Sequence, residues 1–302
     1  NDGGSYIGSM AQRCGGVGRN HADALTRLGC DVNFISVVGN DDSGDYLLRK
    51  SSHINLNHMT RLPNVPTATY LSINVKGNIQ HGFSSIEENI SKLTSDLIRS
   101  KEDLFCDADY ILIDGNTPVE TLRNITDLAQ AHHKNVWFDP ADLAKVQKVF
   151  MAKNISHISV ISPNAYEFMN YCTLLGIPLP EQLLTNSDAM LDFCNSLGPQ
   201  LKALFPGQLS LILLTLGNAG ILALQRHESS IEIVPWPAPQ LSQALLVSPS
   251  GAGDCFNAGF LTAYLKNLSF HDCLRIGTEC AKLSLMSIDA VPNTITSQLL
   301  GT

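Results

Sequence analysis

Ser248-Pro249-Ser250-Gly251-Ala252-Gly253-Asp254 runs directly into Gly253–Lys266, a stretch with the length and apolar content of a helix. Small residues at such a junction let backbone N–H groups approach an anion closely. A helix N-terminus adds unpaired N–H groups and about half a positive charge. A transferring phosphoryl group gathers negative charge, so this is a fit place to hold it. Asp254, in the first turn, puts a carboxylate beside that phosphate, where it could accept the proton of an attacking hydroxyl. Taken alone, the segment reads equally well as an Asp-capped helix behind a glycine turn.

Outward from this junction, short apolar runs alternate with longer amphipathic ones. The pattern predicts strands at Val32–Val38, Tyr110–Ile113, Val136–Phe138, Ile158–Ile161, Leu209–Leu216, Ile221–Leu224 and Ile231–Val234. Helices are expected at His21–Leu28, Pro118–His133, Asp142–Ala152, Ala165–Cys172, Ser187–Leu204, Gly253–Lys266 and His271–Ser287. Repeated β-then-α order implies an α/β fold with a mostly parallel central sheet flanked by helices. Thr67–Lys76 and Ile79–Phe83, joined through Gly77-Asn78, read as a hairpin with one wet face. It breaks the rhythm and is expected to be a small β lid inserted at about 64–85.

Three further segments carry polar chemistry. Gly15-Gly16-Val17-Gly18-Arg19-Asn20 is glycine-rich, but it lacks the third glycine of a dinucleotide-binding turn. Its glycines could admit a polar ligand and Asn20 could bridge a diol, or the segment could be a tight turn with an Asn cap. Asn164-Ala165-Tyr166-Glu167 and Thr215-Leu216-Gly217-Asn218-Ala219-Gly220 each follow a strand. In open α/β sheets ligands gather at the carboxyl ends of strands. Glu167 could act through water on Mg²⁺, which usually keeps several waters. Each segment alone is also an ordinary helix start or turn.

Composition narrows the classes. With 44% hydrophobic and 16% charged residues, the 302-residue chain suits a large buried core rather than disorder. A net charge of −8 without a Lys/Arg-rich run argues against a nucleic-acid partner. The eight cysteines form no C-x-x-C pair and read as reduced thiols. Without a membrane-length apolar run or a leader-like start, no membrane association and a cytoplasmic location are expected. The Asn-x-Ser/Thr triplets at Asn89, Asn124, Asn154 and Asn267 are read as chance.

Together the four segments resemble the PfkB, or ribokinase-like, family of carbohydrate and nucleoside kinases. Gly15, Gly16, Gly18, Asn20, Ala22, Gly29 and Gly39 fit its first signature. Ser248-Pro249-x-Gly251-Ala252-Gly253-Asp254, with Ala258-Gly259-Phe260-Leu261, fits its second. Asn164 and Glu167 look like its N-x-x-E element, and Thr215-x-Gly217-x-x-Gly220 like its ATP loop. Within the family, Gly15–Asn20, Thr69-Tyr70-Leu71-Ser72 and Phe138-Asp139-Pro140-Ala141 are most similar to pseudouridine kinases.

The resemblance implies one kinase domain over 1–302, using ATP and Mg²⁺. Asp254 would be the base and Gly251, Ala252 and Gly253 the anion hole. Asn164, Glu167, Thr215, Gly217 and Gly220 would serve ATP and Mg²⁺, with Glu167 reaching the metal through water. Gly15, Gly16, Asn20 and Asn116 would meet the substrate. The implied reaction is pseudouridine to pseudouridine 5′-phosphate. Alternatives are another ribose-type or adenosine kinase, or a non-catalytic nucleotide-binding module. Fusion to or pairing with a pseudouridine-5′-phosphate glycosidase, and a homodimer through the lid, also follow from the resemblance.

Two departures stand out. Ser248 occupies a position where many members carry an Asp associated with a monovalent cation, which leaves cation dependence open. The family's first strand, with its substrate-binding Asp, is expected to be missing, since none of the fourteen residues before Gly15 forms it and Asp2 is not placed to substitute. The chain would then be a fragment of a longer protein or a variant with an altered sugar site.

Overall fold

The computed structural model describes residues 7–8, 10–75, 78–180 and 186–301; Asp2 and the Gly77 half of the expected turn lie outside them. The chain opens with α1 (Val17–Arg27), β1 (Ser36–Gly39), α2 (Asp42–Lys50) and β2 (Met59–Leu62). Next come β3 (Thr69–Val75) and β4 (Asn78–Ser85), then three short helices, α3 (Glu87–Ile90), α4 (Ser95–Arg99) and α5 (Asp103–Asp107). The central run is β5 (Tyr110–Asp114), α6 (Val119–Ala131), β6 (Asn135–Asp139), α7 (Lys148–Met151), β7 (Val160–Ile161) and α8 (Ala165–Leu174). It continues through α9 (Ser187–Ser196), β8 (Leu211–Thr215), β9 (Ile221–Arg226) and β10 (Ile231–Trp236) to α10 (Ala252–Leu265) and α11 (Phe270–Leu285).

The main sheet has the order β10-β9-β8-β7-β6-β5. Strands β5 to β8 are parallel, while β9 and β10 return antiparallel at one edge. Alternation along each strand sends side chains to two separate cores. Phe138, Ile212 and Leu214 pack with Leu122, Phe168 and Met190 from α6, α8 and α9. Trp137, Leu211 and Leu213 pack on the other face with Leu25, Phe256 and Leu274 from α1, α10 and α11. A strand buried on both faces reads as a continuous apolar run, as Leu211-Ile212-Leu213-Leu214 does. β3 and β4 form a separate two-stranded antiparallel sheet.

Several boundaries differ from the sequence expectation. The first Gly-rich segment is the start of α1 rather than a loop before it, so Gly18, Arg19 and Asn20 are helical. Of the expected first strand, Val32–Val38, only Ser36–Val38 pairs, as part of β1 and in parallel with β2, which local pattern did not signal. Asp142–Ala152 is not one helix but a 3₁₀ turn, Leu143–Lys145, followed by α7. Ser187–Leu204 breaks after Ser196, where Gly198 takes a positive φ and Pro199 opens a 3₁₀ turn.

Candidate active site

The junction at Ser248–Asp254 is built as a cradle. Gly251 caps α10 in the left-handed conformation (φ 85°), and a Cβ there would lie 2.5 Å from the Ala290 carbonyl oxygen. Gly253, two residues on, is exposed, and a Cβ there would meet nothing within 4 Å. One glycine is thus required by the fold, and the other keeps the first turn of α10 bare toward open space.

Asp254 projects from that turn into a polar cluster. Its Oδ2 accepts a 2.6 Å hydrogen bond from the Asn20 side-chain amide. Its Oδ1 lies 3.8 Å from Nε2 of His21, which is itself 3.3 Å from Oδ2 of Asp139. Asp139 ends β6 and accepts from Asn257 at 2.8 Å, and Asn257 also donates to Ser162. Burial pushes the Asp254 carboxyl above the ordinary carboxylate range; His21 opposes the rise, Asp139 adds to it, and the Asn20 hydrogen bond opposes it again. Burial alone would lower the His21 imidazole, but contact with Asp139 and the charges of Asp254, Asp139 and Asp114 hold it above its ordinary value.

The other sequence-derived residues line up along the carboxyl ends of neighbouring strands. Asp114 ends β5 opposite Asp139 in register. It accepts from the backbone N–H groups of Gly18 (2.9 Å) and Asn116 (2.7 Å), tying α1 to this end of the sheet. Asn116 in turn accepts from Lys145 at 2.7 Å. Asn164 caps α8 in a capping box with Glu167, and it bridges to Thr215 at the end of β8. Glu167 is 4% exposed and is pushed up to about 7, chiefly by burial, against the hydrogen bond from the Asn164 N–H. Gly217 opens a 3₁₀ turn beyond Thr215, and Gly220 leads into β9.

The structure therefore joins Asn20 directly to Asp254, and Asn164, Glu167 and Thr215 to one another. Gly15, Gly16 and Gly217 are exposed backbone with no side chain to link them. Asn20 is more committed than expected: its amide oxygen accepts from Arg19 while its nitrogen serves Asp254. Sequence reading missed His21, Asp114, Asn257 and Lys145 and gave Asp139 no role of its own. None stands in a spacing that signals chemistry, although His21 follows Asn20 directly and Asp139 ends an apolar run.

Residues 2–296 match the pfkB family of carbohydrate kinases. The chain belongs to that family. PfkB membership makes it an ATP-dependent phosphotransferase, and relatives across nearly the whole chain agree. The uncharacterised sugar kinase YeiI of Escherichia coli is 26% identical over 94% of this chain and 72% of its own. A pseudouridine kinase of Arabidopsis thaliana is 23% identical over 92% of this chain and 83% of its own. Ribokinase from Cryptococcus neoformans, solved with ADP, superposes with a TM-score of 0.77 at 18% identity, covering 100% of this chain and 92% of that one. The PfkB fold seen here, with its parallel sheet and flanking helices, is the fold of that neighbour.

The residues present fit the groups such a kinase uses. The bare turn at Gly253 is a space that a Cβ would fill, at a helix N-terminus suited to phosphate. Glu167 is a buried carboxylate with one backbone donor, raised toward neutrality in a way that a nearby cation would reverse. No described helix is long and apolar enough to cross a membrane.

Proposed function

We propose that the chain phosphorylates the 5′-hydroxyl of a nucleoside, with pseudouridine as the substrate. The observation that carries the catalytic part is the partly buried Asp254, fixed by Asn20 and set one residue beyond the bare turn at Gly253. ATP with Mg²⁺ supplies the phosphoryl group and neutralises charge on it. Gly251, Ala252 and Gly253 present backbone N–H groups to that phosphate, and Glu167, through water, orients the metal. Asp254 takes the proton of the substrate hydroxyl as that oxygen bonds to the γ-phosphorus and the bond from phosphorus to the ADP oxygen breaks. Asn164, Thr215, Gly217 and Gly220 contact the nucleotide, and Gly15, Gly16, Asn20 and Asn116 the substrate.

Pseudouridine is favoured by the sequence of Gly15–Asn20 and Phe138–Ala141, and by relatives named pseudouridine kinase in Arabidopsis thaliana and Escherichia coli, 23% and 27% identical. Ribose is the second reading, because ribokinases match at 24–25% over similar lengths. An ADP-release assay with pseudouridine, uridine, adenosine, cytidine and ribose tests both. The highest kcat/KM is expected with pseudouridine; a preference for ribose or adenosine would replace that assignment. A pseudouridine-5′-phosphate glycosidase, fused to or paired with the chain and taking its phosphorylated product, fits the same reading.

A further inference from the structure

His21 is the one imidazole among three carboxylates, and no part of the reaction described above uses it. It is 2% exposed on α1. From β6 it faces Asp139, from α10 Asp254, and from β5 it feels the charge of Asp114. On its own helix the charged neighbour Arg19 is turned away, into Asp23 and Asn20. Nε2 stands between Asp139 and Asp254 at ion-pair distance from both, off the direction of an aligned hydrogen bond. Asp139 is in turn fixed on both oxygens, by Asn257 and by the backbone N–H of Ala141.

Asp254 lies across one imidazole nitrogen from Asp139, and burial and a like charge both favour its protonated form. A base must be ionised to accept a proton. His21, Asp139 and Asp254 offer ligand atoms within 4.8 Å of one another.

We propose that His21 is a positioning residue for this reaction: a buried imidazolium, anchored by Asp139, that keeps Asp254 in its charged, proton-accepting form. The idea rests on Asp254 being the base. Asn20 holds one oxygen of that carboxylate and His21 balances the charge at the other, so orientation and protonation state are set by two adjacent residues of α1. The sign follows from the charges. Removing the cation raises the Asp254 carboxyl further, and less of it is ionised at neutral pH. Removing the Asp254 charge lowers the His21 imidazole.

The test has two arms. In His21→Gln, the acid limb of the kcat–pH profile should move to higher pH by about one unit, so that the loss is about tenfold at low pH and shrinks as pH rises. A loss of equal size at every pH would mean a merely structural role and would overturn the proposal. The second arm follows histidine titration by NMR, with the His21 signal identified by its disappearance in His21→Gln. In Asp254→Asn the His21 midpoint should fall; an unmoved midpoint overturns the pairing. This arm does not need turnover. If no nucleoside is phosphorylated, the base assignment fails, while the midpoint still decides whether His21 and Asp254 share charge.

Discussion

Glu167 shows what burying a single carboxyl costs the fold. Its carboxyl is raised to about 7 in the folded chain against an ordinary 4.5, chiefly by burial. Between those values the folded chain keeps a proton that the unfolded chain releases, so stability falls as pH rises through that window. Glu167→Gln preserves the capping geometry with Asn164 and removes the penalty. Its Tm should exceed that of the parent at pH 8, by an amount worth up to about 3 kcal/mol, with the gap closing near pH 5. Thermal melts at several pH values check this; a pH-independent gap would mean that Glu167 is not the group responsible. Asn20 is a second residue whose structure sharpens expectation. Because its amide touches Asp254, Asn20→Ala should lower kcat as well as raise the nucleoside KM, with the KM for ATP little changed. Steady-state kinetics in both substrates separates these, and equal rises in both KM values would place Asn20 outside the substrate site. His21 was illegible at this scale. A lone His after Asn carries no spacing signal, and its partners lie 118 and 233 residues along the chain.

At the scale of elements, the glycine turn that opens α10 was the most legible part, because glycines at a helix start act through local backbone geometry. The structure divides their roles. Gly251→Val forces a β-branched side chain into a left-handed turn against Ala290, so it should lower Tm sharply. At Gly253 a Cβ meets no protein atom within 4 Å, so Gly253→Val should melt close to the parent while losing ATP turnover, if its side chain fills the space proposed for the phosphate. Paired melts and ADP assays test the contrast; normal turnover in a folded Gly253→Val protein would place the phosphate elsewhere. The elements that sequence misread were governed by distant contacts. The expected helix 142–152 is interrupted where Lys145 binds the Asn116 side chain and Lys148 the carbonyls of Asn116 and Thr117. β2 exists because β1 pairs with it, and Met59-Thr60-Arg61-Leu62 has no alternation of its own.

For the molecule as a whole, the order β5-β6-β7-β8 is what brings Asp114, Asp139, Asn164 and Thr215 into one row, with α1 and α10 closing over it. Alternating β and α elements made the fold class legible; the row itself required the strand order, which no local pattern encodes. The separate β3–β4 sheet exposes Leu71, Ile73 and Phe83, with Leu71 directly opposite Phe83. We propose that this sheet pairs with its copy in a homodimer, since an exposed apolar ribbon of this kind marks an interaction surface. Light scattering should give a dimer for the parent and a monomer for Leu71→Ser/Phe83→Ser; a monomeric parent would remove the lid as an interface. The proposed role of Asp254 is that of the base in a phosphoryl transfer built on this row. It is tested most directly by Asp254→Asn, assayed for ADP release with pseudouridine and titrated with ATP–Mg²⁺ by calorimetry. The account predicts a turnover loss of about 10²–10⁴-fold with ATP affinity retained. Turnover within about threefold of the parent would contradict it, since a general base cannot be lost at so small a cost.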